Sequence, residues 1–191
     1  MLTQEELIQD MRNSAVFLDR DGTIAKDVNY CRRIQDFEIL PDVPEAIRLL
    51  NKCGYKVVVI TNQSGIARGY FTEQTLVQIH EKMKNVLASH GARIDAIYYC
   101  PHHPNEGCEC RKPQTALFLR AATDLNIDVH SSFMIGDMQT DIEAGRAIQC
   151  KTILVTTNHE VPWTAVELAD YVTSSLLDAT LWVIKSSTTR R

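Results

Sequence analysis

The chain has 191 residues, 45% of them hydrophobic and 23% charged, with a formal net charge of −4. That length fits one domain, 1–191, with a sizeable core over about 14–175, and the acidic balance argues against a general nucleic-acid or membrane surface. The opening residues, MLTQEELIQDMRNS, hold no apolar h-region and no apolar run is long enough to span a bilayer, so the expected setting is the cytosol.

The short apolar run AVFL (15–18) reads as a strand that ends at Asp19 and Asp21. PDVPEAIRLLNKCG reads as a helix: Asp42 caps it, Pro44 and Glu45 suit its first turn, Gly54 ends it, and Val43, Ile47 and Leu50 form its apolar face. KVVVI (56–60) is β-branched and reads as a buried parallel strand. Thr72 opens a second helix with Leu76, Ile79, Met83, Val86 and Leu87 on one face, ending near Gly91. IDAIYY (94–99) is a strand, TALFLRAATDL (115–125) a helix with Phe118, Ala121, Ala122 and Leu125 in register, and FMI (133–135) a strand. A helix over roughly 140–148, a strand TILV (152–155), a short edge strand and a terminal helix complete the pattern, and 186–191 reads as a frayed tail. Alternation of this kind predicts an α/β fold: a Rossmann-like, mainly parallel sheet with helices on both faces. Ligands bind such sheets beyond the carboxyl ends of the strands.

The polar motifs fall at those ends. Asp19 and Asp21 follow the first strand, Thr61 and Asn62 the second, CPHHP the third, and Gly136 and Asp137 the fourth. Asp-Gly by itself is a turn signal. In extended backbone, however, residues two apart point to the same side, so both aspartates can face one pocket. Like charges there call for a cation, and Mg²⁺ suits oxygen donors and bridges to phosphate. One carboxylate can then attack phosphorus while the other handles the proton. Asp137 and Asp141 sit where a helix starts. Capping is a sufficient reading for Asp141, while Asp137, directly after a strand, suits metal ligation. Arg111 and Lys112 precede a helix and can stabilise a phosphoryl group in transfer.

The motifs FLDRDGT, ITNQSG, a lysine ahead of a helix (Lys112) and IGDMQTD, in this order, resemble the four motifs of the haloacid dehalogenase-like phosphatases over about residues 15–156. The resemblance implies that Asp19 is the nucleophile that becomes an aspartyl phosphate and Asp21 the general acid/base. It implies that Thr61 and Lys112 hold the transferring phosphoryl group. It also implies a Mg²⁺ ion bound by Asp19, the backbone carbonyl of Asp21, and Asp137.

Six cysteines are present, three of them within eleven residues in CPHHPNEGCEC. In a reducing compartment such a cluster points to metal rather than disulfides. Cys100, His102, Cys108 and Cys110 offer a closed Zn²⁺ site, with His103 a rival to His102; the family pattern favours His102. The loop would pin Arg111 and Lys112, which follow Cys110 directly.

This loop followed by RKP resembles two bacterial branches of the family, one acting on a small phosphorylated sugar and the alternative on histidinol phosphate or another small phosphate ester, and VVVITNQSGIARGYFTE upstream favours the sugar branch. That branch implies substrate contacts at Asp27, Asn29, Tyr30, Asn62, Gln63, Ser64, Arg111 and Lys112; Arg68 is added on charge alone. Met138 departs from the branch, where many members carry a lysine. Only 41 residues separate Asp19 from Thr61, so no separate cap domain is expected. The site should be open, and the chain is expected to work as a monomer.

Overall fold

The computed structural model describes residues 13–156 and 162–188. Six strands form one sheet: β1 (Ala15–Leu18), β2 (Lys56–Asn62), β3 (Ala96–Cys100), β4 (Phe133–Gly136), β5 (Lys151–Val155) and β6 (Tyr171–Thr173). Among the described residues six α-helices accompany them: α1 (Val43–Lys52), α2 (Glu73–Ser89), α3 (Ala116–Leu125), α4 (Gln139–Ala147), α5 (Trp163–Leu168) and α6 (Leu176–Thr188). The strand order is β3-β2-β1-β4-β5-β6 and every pairing is parallel.

β1 shows why so short an apolar run makes a central strand: all four of its residues are buried. Val16 and Leu18 enter one core layer with α1, α2 and α6. Ala15 and Phe17 enter the other with α3 and α4, where Phe17 meets Phe118 edge to face at 5.2 Å. A strand covered on both faces needs no polar alternation.

The chain adds β2 and β3 on one side of β1, then returns to its other side with β4. Leu18 is in register with Val59 and with Ile135. The carboxyl ends of β1, β2 and β4 therefore lie side by side at the point where the strand order reverses, where such sheets hold ligands.

The expected elements all form, with four adjustments. Thr72 caps α2 as expected, accepting from the Thr75 N–H at 3.2 Å. Asp42 stands at the start of α1, but its carboxylate accepts from the Leu177 N–H of α6 at 2.9 Å. The expected tail does not begin at 186: α6 continues to Thr188, and Ser187 bonds the Tyr55 hydroxyl and the Val183 carbonyl. The core likewise extends past 175, because α6 buries Leu176, Ala179 and Val183. Residues 189–191 lie outside the described residues. The fourth adjustment is α5, a helix the sequence pattern did not announce. Among the described residues no helix is long and apolar enough to cross a membrane.

Candidate active site

Asp19 is the first residue past β1; its N–H donates to the Ile135 carbonyl of β4 at 3.0 Å, which anchors it between the two strands. Its Oδ1 accepts from Lys112 Nζ at 2.6 Å. The same ammonium donates to the Ile60 carbonyl at 2.6 Å and pairs with Asp141 Oδ1 at 2.7 Å. Asp19, Asp137 and Asp141 are all buried, and each offers an oxygen within 4.8 Å of the others.

Two glycines make this closeness possible. Gly22 has φ +83°, and a Cβ there would sit 2.0 Å from Asp137 Oδ2. A Cβ on Gly136 would sit 2.3 Å from Asp141 Oδ2. Asp137 also accepts from Thr23 Oγ1 at 3.4 Å.

The electrostatics follow from burial. Desolvation raises the Asp19 carboxyl to about 6, with Lys112 opposing and Asp141 and Asp21 adding to the rise. Desolvation, then the charges of Asp19 and Asp141, push Asp137 up to about 9. Burial works against the charge on Lys112, but Asp141 and Asp19 outweigh it and hold the ammonium above the ordinary lysine range. Three buried carboxylates thus share one protein cation. The remaining negative charge, presented on hard oxygen donors, fits a divalent ion such as Mg²⁺.

A cavity of about 630 Å³ opens over this cluster. Asp21, Asp27, Asn29, Tyr30, Thr61, Asn62, Gln63, Ser64, Arg111 and Met138 line it with the buried charges. Arg111 presents a buried Nη1 that meets no hydrogen-bond acceptor among the described residues. Asn29 and Tyr30 turn the chain at its mouth with φ of 51° and 72°, and the Asp27 carboxylate accepts from the Asn29 N–H at 2.9 Å.

Several expected contacts are placed differently. The Asp21 carboxylate is outside the buried cluster; Arg20 and Gln63 hold it. Both amide hydrogens of Gln63 are engaged, since Nε2 donates to Asp21 and Thr61, and Oε1 accepts from Arg20, which leaves one lone pair on that oxygen for substrate. Asn62 braces the loop that carries Lys112, exchanging hydrogen bonds with its backbone at 3.0 and 3.2 Å. Arg68 is exposed, lies outside the cavity lining and sits 5.8 Å from the Tyr30 ring. Asp141 does both jobs open to it: it accepts from the Met138 N–H at 3.0 Å, capping α4, and pairs with Lys112.

Beside the cavity, Cys100, His102, Cys108 and Cys110 gather their Sγ and Nδ1 atoms within 4.8 Å. Cys100 Sγ lies 3.1 Å from Cys110 Sγ and 3.6 Å from Cys108 Sγ, and His102 Nδ1 is 3.1 Å from Cys110 Sγ. Tetrahedral zinc with bonds of about 2.3 Å separates its sulfur ligands by roughly 3.7 Å; the two 3.6 Å separations, Cys100–Cys108 and Cys108–Cys110, match this, and Cys100–Cys110 is shorter. The three cysteines are free of disulfides. His103 is otherwise occupied: its Nδ1 accepts from the Asn105 N–H and its own N–H donates to Glu106, which caps a short turn over Pro104–Glu106.

A parallel sheet that delivers an acid, a hydroxyl and a lysine to one pocket of buried carboxylates suits a phosphoric monoester hydrolase. The family model described as "HAD-hyrolase-like" matches residues 109–179. The D-glycero-beta-D-manno-heptose-1,7-bisphosphate 7-phosphatase of Haemophilus influenzae is 43% identical over 173 residues, 87% of this chain and 94% of that protein. The enzyme of that name from Haemophilus ducreyi is 42% identical over 181 residues, 91% of this chain and 100% of that protein. Among solved structures, the D,D-heptose 1,7-bisphosphate phosphatase of B. bronchiseptica, complexed with magnesium and phosphate, superposes with a TM-score of 0.82 at 31% identity. The match covers 91% of this chain and 99% of that one. The chain belongs to this family of haloacid dehalogenase-like phosphatases.

Proposed function

We propose that the chain removes the 7-phosphate of D-glycero-D-manno-heptose 1,7-bisphosphate, with Mg²⁺ and through an aspartyl phosphate on Asp19. The observation that carries the chemistry is the buried cluster of Asp19, Asp137 and Asp141, two of which, Asp19 and Asp141, pair with the ammonium of Lys112. Its likeness to the heptose phosphatases supports the substrate. Arg111 suits it too, as a cavity-lining cation with a buried N–H in need of an anionic acceptor.

Asp19 and Asp137, with the backbone carbonyl of Asp21, would hold the Mg²⁺, next to Asp141. When bound, the ion neutralises the crowded acids and polarises the phosphoryl oxygens. Lys112 fixes Asp19 through Oδ1; the second oxygen accepts no hydrogen bond among the described residues, which suits it to attack. Asp19 forms a bond to phosphorus as the ester P–O bond breaks, and the departing sugar oxygen takes a proton from Asp21. Asp21, now a carboxylate, accepts a proton from water as that water attacks phosphorus. The Asp19–phosphorus bond breaks, inorganic phosphate leaves, and both acids are restored. Thr61 and Lys112 line the path of the phosphoryl group.

Cys100, His102, Cys108 and Cys110 hold a structural Zn²⁺ that fixes the loop bearing Arg111 and Lys112. The chain is proposed to act as a monomer, and the setting proposed is the cytosol. Phosphate release from the heptose bisphosphate and from histidinol phosphate, each with Mg²⁺, tests the assignment. Preference for the heptose ester is expected; preference for histidinol phosphate would overturn it.

A further inference from the structure

Arg20 stands between the two aspartates of the first motif, and the mechanism above leaves it idle. Its side chain is nonetheless completely buried. A buried guanidinium is tolerated only where acceptors surround it, and the acceptors here are specific. Nη2 donates to Asp21 Oδ1 at 2.8 Å and to Oδ2 at 2.7 Å, and Nε donates to Oδ1 at 3.1 Å. Nη2 also reaches Gln63 Oε1 at 3.1 Å, and Nη1 lies 3.4 Å from His80 Nε2. Gln63 closes the ring by donating from Nε2 to Asp21 Oδ2 at 2.9 Å.

His80 is the far support. It lies on the buried face of α2, and burial, then the neighbouring Arg20, push its imidazole down to about 3 against the pull of Asp21. The neutral ring accepts from the guanidinium instead of repelling it. Both oxygens of Asp21 are thus gripped from the protein side, while its side chain keeps 26% exposure and lines the cavity.

We propose that Arg20, backed by Gln63 and His80, is a positioning residue that fixes the orientation of the Asp21 carboxylate for both of its proton transfers. This rests on the reading of Asp21 as the general acid/base. The fork geometry is the essential part: a planar guanidinium locks carboxylate rotation as a single ammonium does not.

The test uses leaving groups. An aryl phosphate such as p-nitrophenyl phosphate needs little protonation to leave, whereas an alkyl ester does. Release of phosphate from aspartyl phosphate still needs Asp21 as base. In Arg20→Lys, the pre-steady-state burst of p-nitrophenolate should stay within about three-fold of the wild type. Steady-state turnover, and hydrolysis of a sugar phosphate, should fall on the order of 10–100-fold, part of the usual contribution of a general acid. The Mg²⁺ concentration for half-maximal activity should not move. His80→Phe should show the same pattern more weakly and carries the test if Arg20→Lys fails to fold. Burst and turnover falling together, or neither falling, would overturn the proposal. A wild type that hydrolyses no phosphate ester would instead contradict the phosphatase reading itself.

Discussion

At the scale of single residues, the site is a problem in buried charge. Lys112 is 3% exposed and remains a cation because Asp141 and Asp19 lie within 2.7 Å of its nitrogen. Removing that cation leaves three acids facing one another. Lys112→Met should therefore destabilise the metal-free protein by about 3–5 kcal/mol, the usual result of orphaning a buried ion-pair partner, and abolish turnover; urea unfolding and a phosphate assay check both. Gly22→Ala should also be inactive, since the new methyl would occupy the place of the Asp137 carboxylate on a backbone already at φ +83°. Loss of phosphate release with a retained circular-dichroism spectrum is the expected readout. Asp19 and Asp137 were legible in the sequence because a polar residue at the end of an apolar strand has few purely structural reasons to be there. Asp141 was not separable from a helix cap, because the same carboxylate serves α4 and Lys112. The Arg20–His80 contact spans 60 positions, and no local pattern encodes it.

At the scale of elements, periodicity located the strands and main helices, since core faces such as Val43, Ile47 and Leu50 are set by burial. It was less informative about partners. Asp42 has the right chemistry for a cap, but the helix that uses its carboxylate is α6, 135 positions along the chain. α5 has six residues and one buried side chain, too little to leave a clear periodic signal. The Cys/His loop was legible by spacing; the family resemblance ranked His102 ahead of His103, and the turn at Pro104–Glu106, which engages His103, supplies the physical reason. Elemental analysis should find one zinc per chain, and Cys108→Ser should lower both zinc content and thermal stability, because three remaining ligands leave the tetrahedral shell incomplete. Unchanged zinc in that variant would reject the ligand set.

At the scale of the whole molecule, stability and metal binding are linked through protons. Asp19 and Asp137 are raised to about 6 and about 9, so the folded metal-free protein holds protons that the unfolded chain gives up near pH 4. Stability falls with pH wherever the folded state binds more protons. Buried neutral His80 opposes this below about pH 6.5, where the unfolded chain takes up a proton that the folded imidazole does not, so the metal-free melting temperature should drop most clearly from about pH 6.5 towards about pH 9, and the stabilisation gained on adding Mg²⁺ should grow over the same interval. Lys112 is charged throughout that window and adds no slope of its own. Thermal melts at several pH values, with and without Mg²⁺, check this; a metal-free melting temperature that rises with pH over that interval would contradict it.

The fold converges four strand ends on one pocket, and the chemistry then depends on a single atom group, the Asp19 carboxylate. Turnover of the heptose bisphosphate by Asp19→Asn, at saturating Mg²⁺ and with its fold verified by circular dichroism, tests that dependence most directly. No phosphate release above background is the expected result. Release at the wild-type rate would contradict a nucleophilic Asp19.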